Sequence, residues 1–138
     1  MGVHDAYGKR LLVQILGKRF NSYGDVVKVR YDGGITANID GVIENACAIE
    51  IESRTDKQIR GAVLDLVSHP LARKLLIIIP ANMHNPKATI KHCEGLLSSL
   101  IKPDEKFRVV LLKGTGHTPE EIADRLILKS ALKKLDCL

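Results

Sequence analysis

Asp40, Glu50 and Glu52 are the residues through which this chain could do chemistry. They stand in NIDGVIENACAIEIESRTDKQ, residues 38–58, where the run from Cys47 to Ile51 otherwise reads as core strand. Side chains alternate across a strand, so Ala48, Glu50 and Glu52 share one face while Cys47, Ile49 and Ile51 share the other. Residues two apart rise by roughly 6.5 to 7 Å, and flexible glutamates can still converge on one small volume. If Glu44-Asn45 makes a tight hairpin, Asp40 comes opposite Glu50, in the same register as Glu44 with Ala46. Three carboxylates so placed repel one another, and burial raises the cost of their charge. A divalent cation removes the conflict. Mg²⁺ suits it best, with Mn²⁺ as a substitute, because it takes oxygen ligands, keeps waters and commonly uses one or two carboxylates plus substrate phosphates. Such a site can activate water and stabilise charge on a phosphodiester under attack. The alternative is a strand whose acidic face is simply open to solvent, and the residue pattern alone leaves both readings standing.

The elements that must position these residues follow from periodicity. Leu11, Leu12, Ile15, Leu16 and Phe20 form one stripe of a helix expected over residues 5–20. Val26, Val27 and Val29 predict a strand before the turn residues Asp32-Gly33-Gly34, and two more strands are expected over 39–43 and 46–52. Thr55 or Asp56 can cap the next helix, which carries Ile59, Val63, Leu66 and Val67 inward and stops at His69-Pro70. The run from Lys74 to Pro80 reads as a strand buried on both faces. A helix from Asn85-Pro86, a strand over 107–112 and a last helix to about Leu135, opened by Thr118-Pro119-Glu120-Glu121, complete the chain. Early strands in a meander and later strand–helix alternation predict an α/β domain, a mixed β-sheet flanked by helices.

A length of 138 residues suits one domain with a real core, and 45% apolar with 27% charged residues argues against disorder. No apolar run reaches membrane-spanning length, and the opening MGVHDAYGKR lacks the layout of a secretion signal. Three cysteines without framework spacing read as reduced thiols, so the expected location is cytoplasmic. The net charge of +5 favours a polyanionic partner. Lys28, Arg30, Arg54, Lys57 and Arg60 are the candidate DNA-binding residues around the acidic strand, where phosphate contacts would position a duplex. Aromatic residues are only 4% of the chain, which favours duplex or branched DNA over stacked single strands. Gly114-Thr115-Gly116-His117 lies between strand and helix as a phosphate loop would, but without a complete glycine motif it reads better as a tight connection.

The element order, with Asp40 at the start of one hairpin strand, Glu50-Ile51-Glu52 on the next and Gln58 on the helix beyond, resembles the PD-(D/E)XK nuclease superfamily. The likeness extends over nearly the whole chain at the level of topology. It implies a restriction-endonuclease-like core ordered α-β-β-β-α-β-α-β-α, similar also to archaeal Holliday-junction resolvases. It implies that Asp40 and Glu50 hold the metal. Glu52 stands where lysine is usual, as in a subset of restriction endonucleases, and would be a further metal ligand or a general base acting through water. The cationic role would otherwise pass to Arg54 or to Lys57, of which only Lys57 could both hold and lose charge. Gln58 matches a glutamine that several members use to orient the metal environment or bind a phosphate. Many members carry an acid on the first helix; Asp5 is the one available here, and it also reads as a charge favoured at a helix N-terminus.

The expectation is therefore one nuclease-like domain over residues 1–138, a Mg²⁺-dependent endonuclease of double-stranded DNA of restriction-endonuclease type. Asp40, Glu50, Glu52, Lys57 and Gln58 form the expected catalytic set, with the three acids as metal ligands. One site per domain implies a homodimer for cutting both strands. The alternatives are a structure-selective, Holliday-junction resolvase-like nuclease and a non-catalytic DNA-binding module on the nuclease fold.

Overall fold

The computed structural model describes residues 2–55 and 57–138. The first helix, α1 (Val3–Leu16), buries Tyr7, Leu11, Leu12 and Leu16. It stops short of Phe20 because Gly17 takes a left-handed φ of 57° and returns its N–H to the Val13 carbonyl, a conformation that suits a residue without Cβ. Phe20 instead opens a short strand, β1 (Phe20–Asn21).

The expected strand around Val26–Val29 is also reassigned. Residues Asp25–Val27 form a 3₁₀ turn, and only Lys28–Arg30, β2, is extended. Gly33 and Gly34, at φ 80° and 79°, fold the chain straight back. Thus β2 pairs antiparallel with β3 (Thr36–Asn38) in a two-stranded sheet of its own. The strand expected over 39–43 is broken at Ile39-Asp40, and only β4 (Gly41–Ile43) joins the main sheet. The break has a visible cause: Ile39 N–H donates to the Val27 carbonyl and Asp40 N–H to a Glu50 carboxylate oxygen, so both donors leave the ladder.

From there the chain follows its pattern. β5 (Cys47–Glu52), α2 (Lys57–Ser68), β6 (Arg73–Ile78), α3 (Pro86–Leu100), β7 (Lys106–Leu111) and α4 (Glu121–Lys134) alternate. The Asp56 cap expected for α2 lies outside the described residues, whereas Asn85 caps α3 by accepting from Ala88 N–H at 3.1 Å. Thr118 does not cap α4; its hydroxyl lies 2.9 Å from that of Thr115, and the helix starts three residues later at Glu121. The main sheet has five strands in the order β1-β4-β5-β6-β7. β4 runs antiparallel to both its neighbours, β1 and β5, and β5, β6 and β7 run parallel. This is an α/β fold with a mixed sheet flanked by helices.

Both faces of the sheet are covered. Ile49, Ile51, Leu75 and Ile77 pack with Leu11, Leu12, Leu128 and Leu132 of α1 and α4. Ala48, Leu76 and Ile78 pack with Ile59, Val63, Leu66, Cys93 and Leu97 of α2 and α3. Lys74 is wholly buried in β6; its ammonium donates to the Val67 and His69 carbonyls at the end of α2 and lies 3.6 Å from the Glu105 carboxylate. A buried cation thus satisfies the carbonyls that a helix end leaves without partners. Among the described residues, no helix is long and apolar enough to cross a membrane.

Candidate metal centre

Three residues, Glu44 to Ala46, connect β4 to β5, with Asn45 at φ 57° and the Ala46 N–H returned to the Ile43 carbonyl. Asparagine tolerates this left-handed position because its short polar side chain offsets the steric cost. The resulting register pairs Gly41 with Ile49, Val42 with Ala48 and Ile43 with Cys47. One step further along, Asp40 stands opposite Glu50. The two residues clasp each other crosswise: Asp40 N–H donates to Glu50 Oε1 at 2.7 Å, and Ile51 N–H donates to Asp40 Oδ2 at 2.7 Å. Glu50 is only 7% exposed, on the strand face it shares with the buried Ala48 and Glu52.

That position is electrostatically costly. Burial, and then the charge of Asp40, push the Glu50 carboxyl far above its ordinary value of 4.5, with Asp65 adding to the effect. Burial followed by the charges of Asp40 and Glu52 also raises Asp5. These groups meet in a cleft of about 290 Å³ at the carboxyl end of β5, the end of parallel strands where ligands of α/β sheets gather. Asp5 enters from α1, Asn38 from β3, and Gln58 and Asp65 from α2.

Glu52 is in the same cleft but engaged differently. Its Oε2 accepts from the N–H groups of Ser53 and Arg54, both at 2.9 Å, and from Arg54 Nε at 3.0 Å. Its Oε1 accepts from Arg54 Nη2 at 3.1 Å. The Glu52 side chain is 5% exposed and that of Arg54 67% exposed, so the guanidinium lies over the carboxylate from the solvent side. Among the described residues, no three His, Cys, Asp or Glu side chains already stand as a ligand set for a metal. Asp40 and Glu50 nevertheless fit Mg²⁺ in kind: both are oxygen donors, and two carboxylates suffice when waters and a substrate phosphate complete the shell. A buried glutamate beside a half-buried aspartate, its carboxyl pushed up by burial and by that neighbour, also has reason to take a cation.

The structure therefore brings together Asp40, Glu50, Glu52, Arg54, Gln58 and Asp5. It does not bring in the remaining basic residues. Lys57 and Arg60 are exposed on α2 and do not line the cleft. Lys28 and Arg30 are each 3.6 Å from Asp25 and line a different depression, beside His69 and the β4–β5 turn, because β2 curls back in its own hairpin. Of the expected DNA-binding set, Arg54 alone enters the acidic cleft.

Three participants escaped the sequence reading: Asn38, Asp65 and Tyr31. Asp65 lies seven residues beyond Gln58, hence on the same face of α2 two turns away, a signal that was available. Tyr31 donates its hydroxyl to Asp65 Oδ1 at 2.5 Å, and nothing in sequence spacing links them.

The connection after β7 is no phosphate cradle. Lys113 and Gly114 give their N–H groups to Asp124, Gly116 gives its own to His4 Nδ1, and Glu120 N–H bonds to the Tyr7 hydroxyl. Thr115 N–H bonds to the Thr118 carbonyl, and His117 and Thr118 donate to Thr115 Oγ1. No donor is left over for an anion. Asp124, wholly buried, also accepts from the Tyr7 hydroxyl at 2.6 Å and ties α4 to α1. Comparison with protein-family models, curated proteins and solved structures gives no match to this chain.

Proposed function

We propose that this chain is a Mg²⁺-dependent endonuclease hydrolysing phosphodiester bonds of double-stranded DNA, a restriction-endonuclease type of activity. The observation that carries the reading is the crosswise clasp of Asp40, just before β4, and Glu50, a buried carboxylate within β5. Asp40 and Glu50 would hold the metal, and Mn²⁺ would substitute for Mg²⁺. The bound ion would supply charge stabilisation at the phosphodiester and a more acidic water. The chain's own contribution is to fix both carboxylates by main-chain hydrogen bonds, so that no reorganisation is needed when phosphate arrives. Gln58, on the wall formed by α2, would orient the groups around the metal or meet a phosphate. A homodimer would present one such site to each strand of the duplex.

A second reading is favoured by one observation. Among the described residues, the elements comprise the main sheet, its flanking helices and one short hairpin, with no added layer to read base edges. Selective cleavage of branched DNA, as by a Holliday-junction resolvase, needs no such layer. The test is purified protein on plasmid DNA and on a synthetic four-way junction, with Mg²⁺ or EDTA, beside Glu50→Ala. Discrete metal-dependent fragments lost in the variant support the restriction-type reading. Cutting of the junction alone supports the second, and salt-sensitive binding without any cutting leaves a non-catalytic DNA-binding module.

A further inference from the structure

We infer that Arg54 is a phosphate-binding positioning residue that exchanges Glu52 for a DNA phosphate, so that substrate itself uncovers Glu52 to the metal. The inference rests on the nuclease reading above and concerns the same cleft. Four carboxylates besides Glu52 line that cleft (Asp5, Asp40, Glu50 and Asp65), and among the described residues Arg54 is the one cationic side chain that does. A phosphodiester approaching Asp40 and Glu50 therefore finds one positive charge in the cleft, beside the neutral amides of Asn38 and Gln58.

The two oxygens of Glu52 are not equivalent. Oε2 keeps two main-chain donors, Ser53 N–H and Arg54 N–H, whatever the guanidinium does. Among the described residues, Oε1 has only Arg54 Nη2. Withdrawal of the guanidinium would thus leave a carboxylate anchored through one oxygen with the other free toward the cleft. Arg54 is open to a competing anion: its side chain is two-thirds exposed, so the guanidinium faces solvent while it grips the buried carboxylate. Its planar fork matches a phosphate as well as a carboxylate, and the phosphates that flank a gripped one along a DNA backbone hold the guanidinium in addition. Glu52 then joins Asp40 and Glu50 as an oxygen ligand only when DNA is present. The cation that the acidic strand itself lacks is thus supplied two residues after Glu52.

The experiment measures Mn²⁺ affinity by electron paramagnetic resonance, without DNA and with a short duplex in Ca²⁺-free buffer, for wild type, Arg54→Gln, Arg54→Lys and Arg54→Gln/Glu52→Gln. Circular dichroism establishes that each variant is folded. Arg54→Gln should bind Mn²⁺ about tenfold more tightly without DNA, on the scale of outer-shell changes at metal sites. The double variant should lose that gain. Duplex binding by Arg54→Gln should weaken, and its salt slope should fall by about 0.9, one phosphate contact. Arg54→Lys should keep the salt slope but still free Glu52 in part, lacking the fork. Unchanged Mn²⁺ affinity in a folded Arg54→Gln, or a gain that survives in the double variant, would overturn the inference while Glu50-dependent metal binding and cleavage stand. Absence of Mn²⁺ binding in every variant, with no cleavage by wild type, would instead sink the nuclease reading and this inference with it.

Discussion

Glu50 concentrates the cost of this site in one side chain. A carboxyl whose value is raised in the folded chain retains a proton that the unfolded chain has released. Folding therefore loses stability as pH climbs above the ordinary 4.5. Glu50→Gln removes that cost, and at neutral pH the metal-free variant should be more stable, on the order of 1–3 kcal/mol, by denaturant titration. If Glu50 holds Mg²⁺ as proposed, the ion should raise the melting temperature of wild type and not of the variant, since a ligand bound only by the folded state stabilises it. His69 works in the opposite sense. Its Nε2 lies 2.7 Å from the Val26 carbonyl and its Nδ1 accepts from Leu71 N–H, which requires the neutral ring. Burial lowers its value from 6.5, and the Lys74 ammonium pushes the same way. Its contribution is present above 6.5 and lost as pH falls below it, so melting temperature in the Glu50→Gln background should decline on acidification through that range.

At the scale of elements, legibility tracked how local the controlling interaction was. The α2, α3 and β6 segments follow from side-chain period and neighbouring prolines, and the β4–β5 register follows from the length of one turn. Gly17 was a readable stop for α1 that the longer stripe through Phe20 concealed. The break at Ile39-Asp40 was not readable, because it depends on acceptors from Val27 and Glu50 that only the folded chain supplies. Two substitutions test what holds these elements. Asn45→Val, a β-branched residue at φ 57°, should cost about 1–2 kcal/mol while Asn45→Gly stays near wild type. Lys74→Met leaves Glu105 without its buried partner and α2 without its end donor. It should cost about 3–5 kcal/mol in chemical denaturation, and Lys74→Met/Glu105→Leu should recover a good part of that.

Across the whole molecule, the acids are gathered by a sheet that changes from antiparallel to parallel pairing at β5. Asp40 arrives on the antiparallel side, and Asp65 and Gln58 on the helix that begins the parallel crossover. Asp40 with Glu50 could be read ahead because two strands and one turn determine it. Asp5, Asn38, Tyr31 and Asp65 converge only through packing of α1, the small hairpin and α2, and sequence spacing carries little of that. The proposed nuclease, with one site for each strand, predicts a dimer by analytical ultracentrifugation at the concentrations where both strands are cut. A monomer at those concentrations would require successive nicks, visible as open-circular plasmid preceding linear.

The connection from Lys113 to Glu120 has one more consequence. Surface connections ordinarily exchange their amide hydrogens with solvent within moments, because water reaches unpaired N–H groups. Here every N–H that the segment possesses is bonded to Asp124, His4, Tyr7 or Thr115 and its neighbour. In deuterated water these amides should stay protonated with those of α4, and Asp124→Ala should release Lys113 and Gly114 first. The segment would then behave as a stiff bracket between the first and last helices, holding Asp5 at its distance from Glu50.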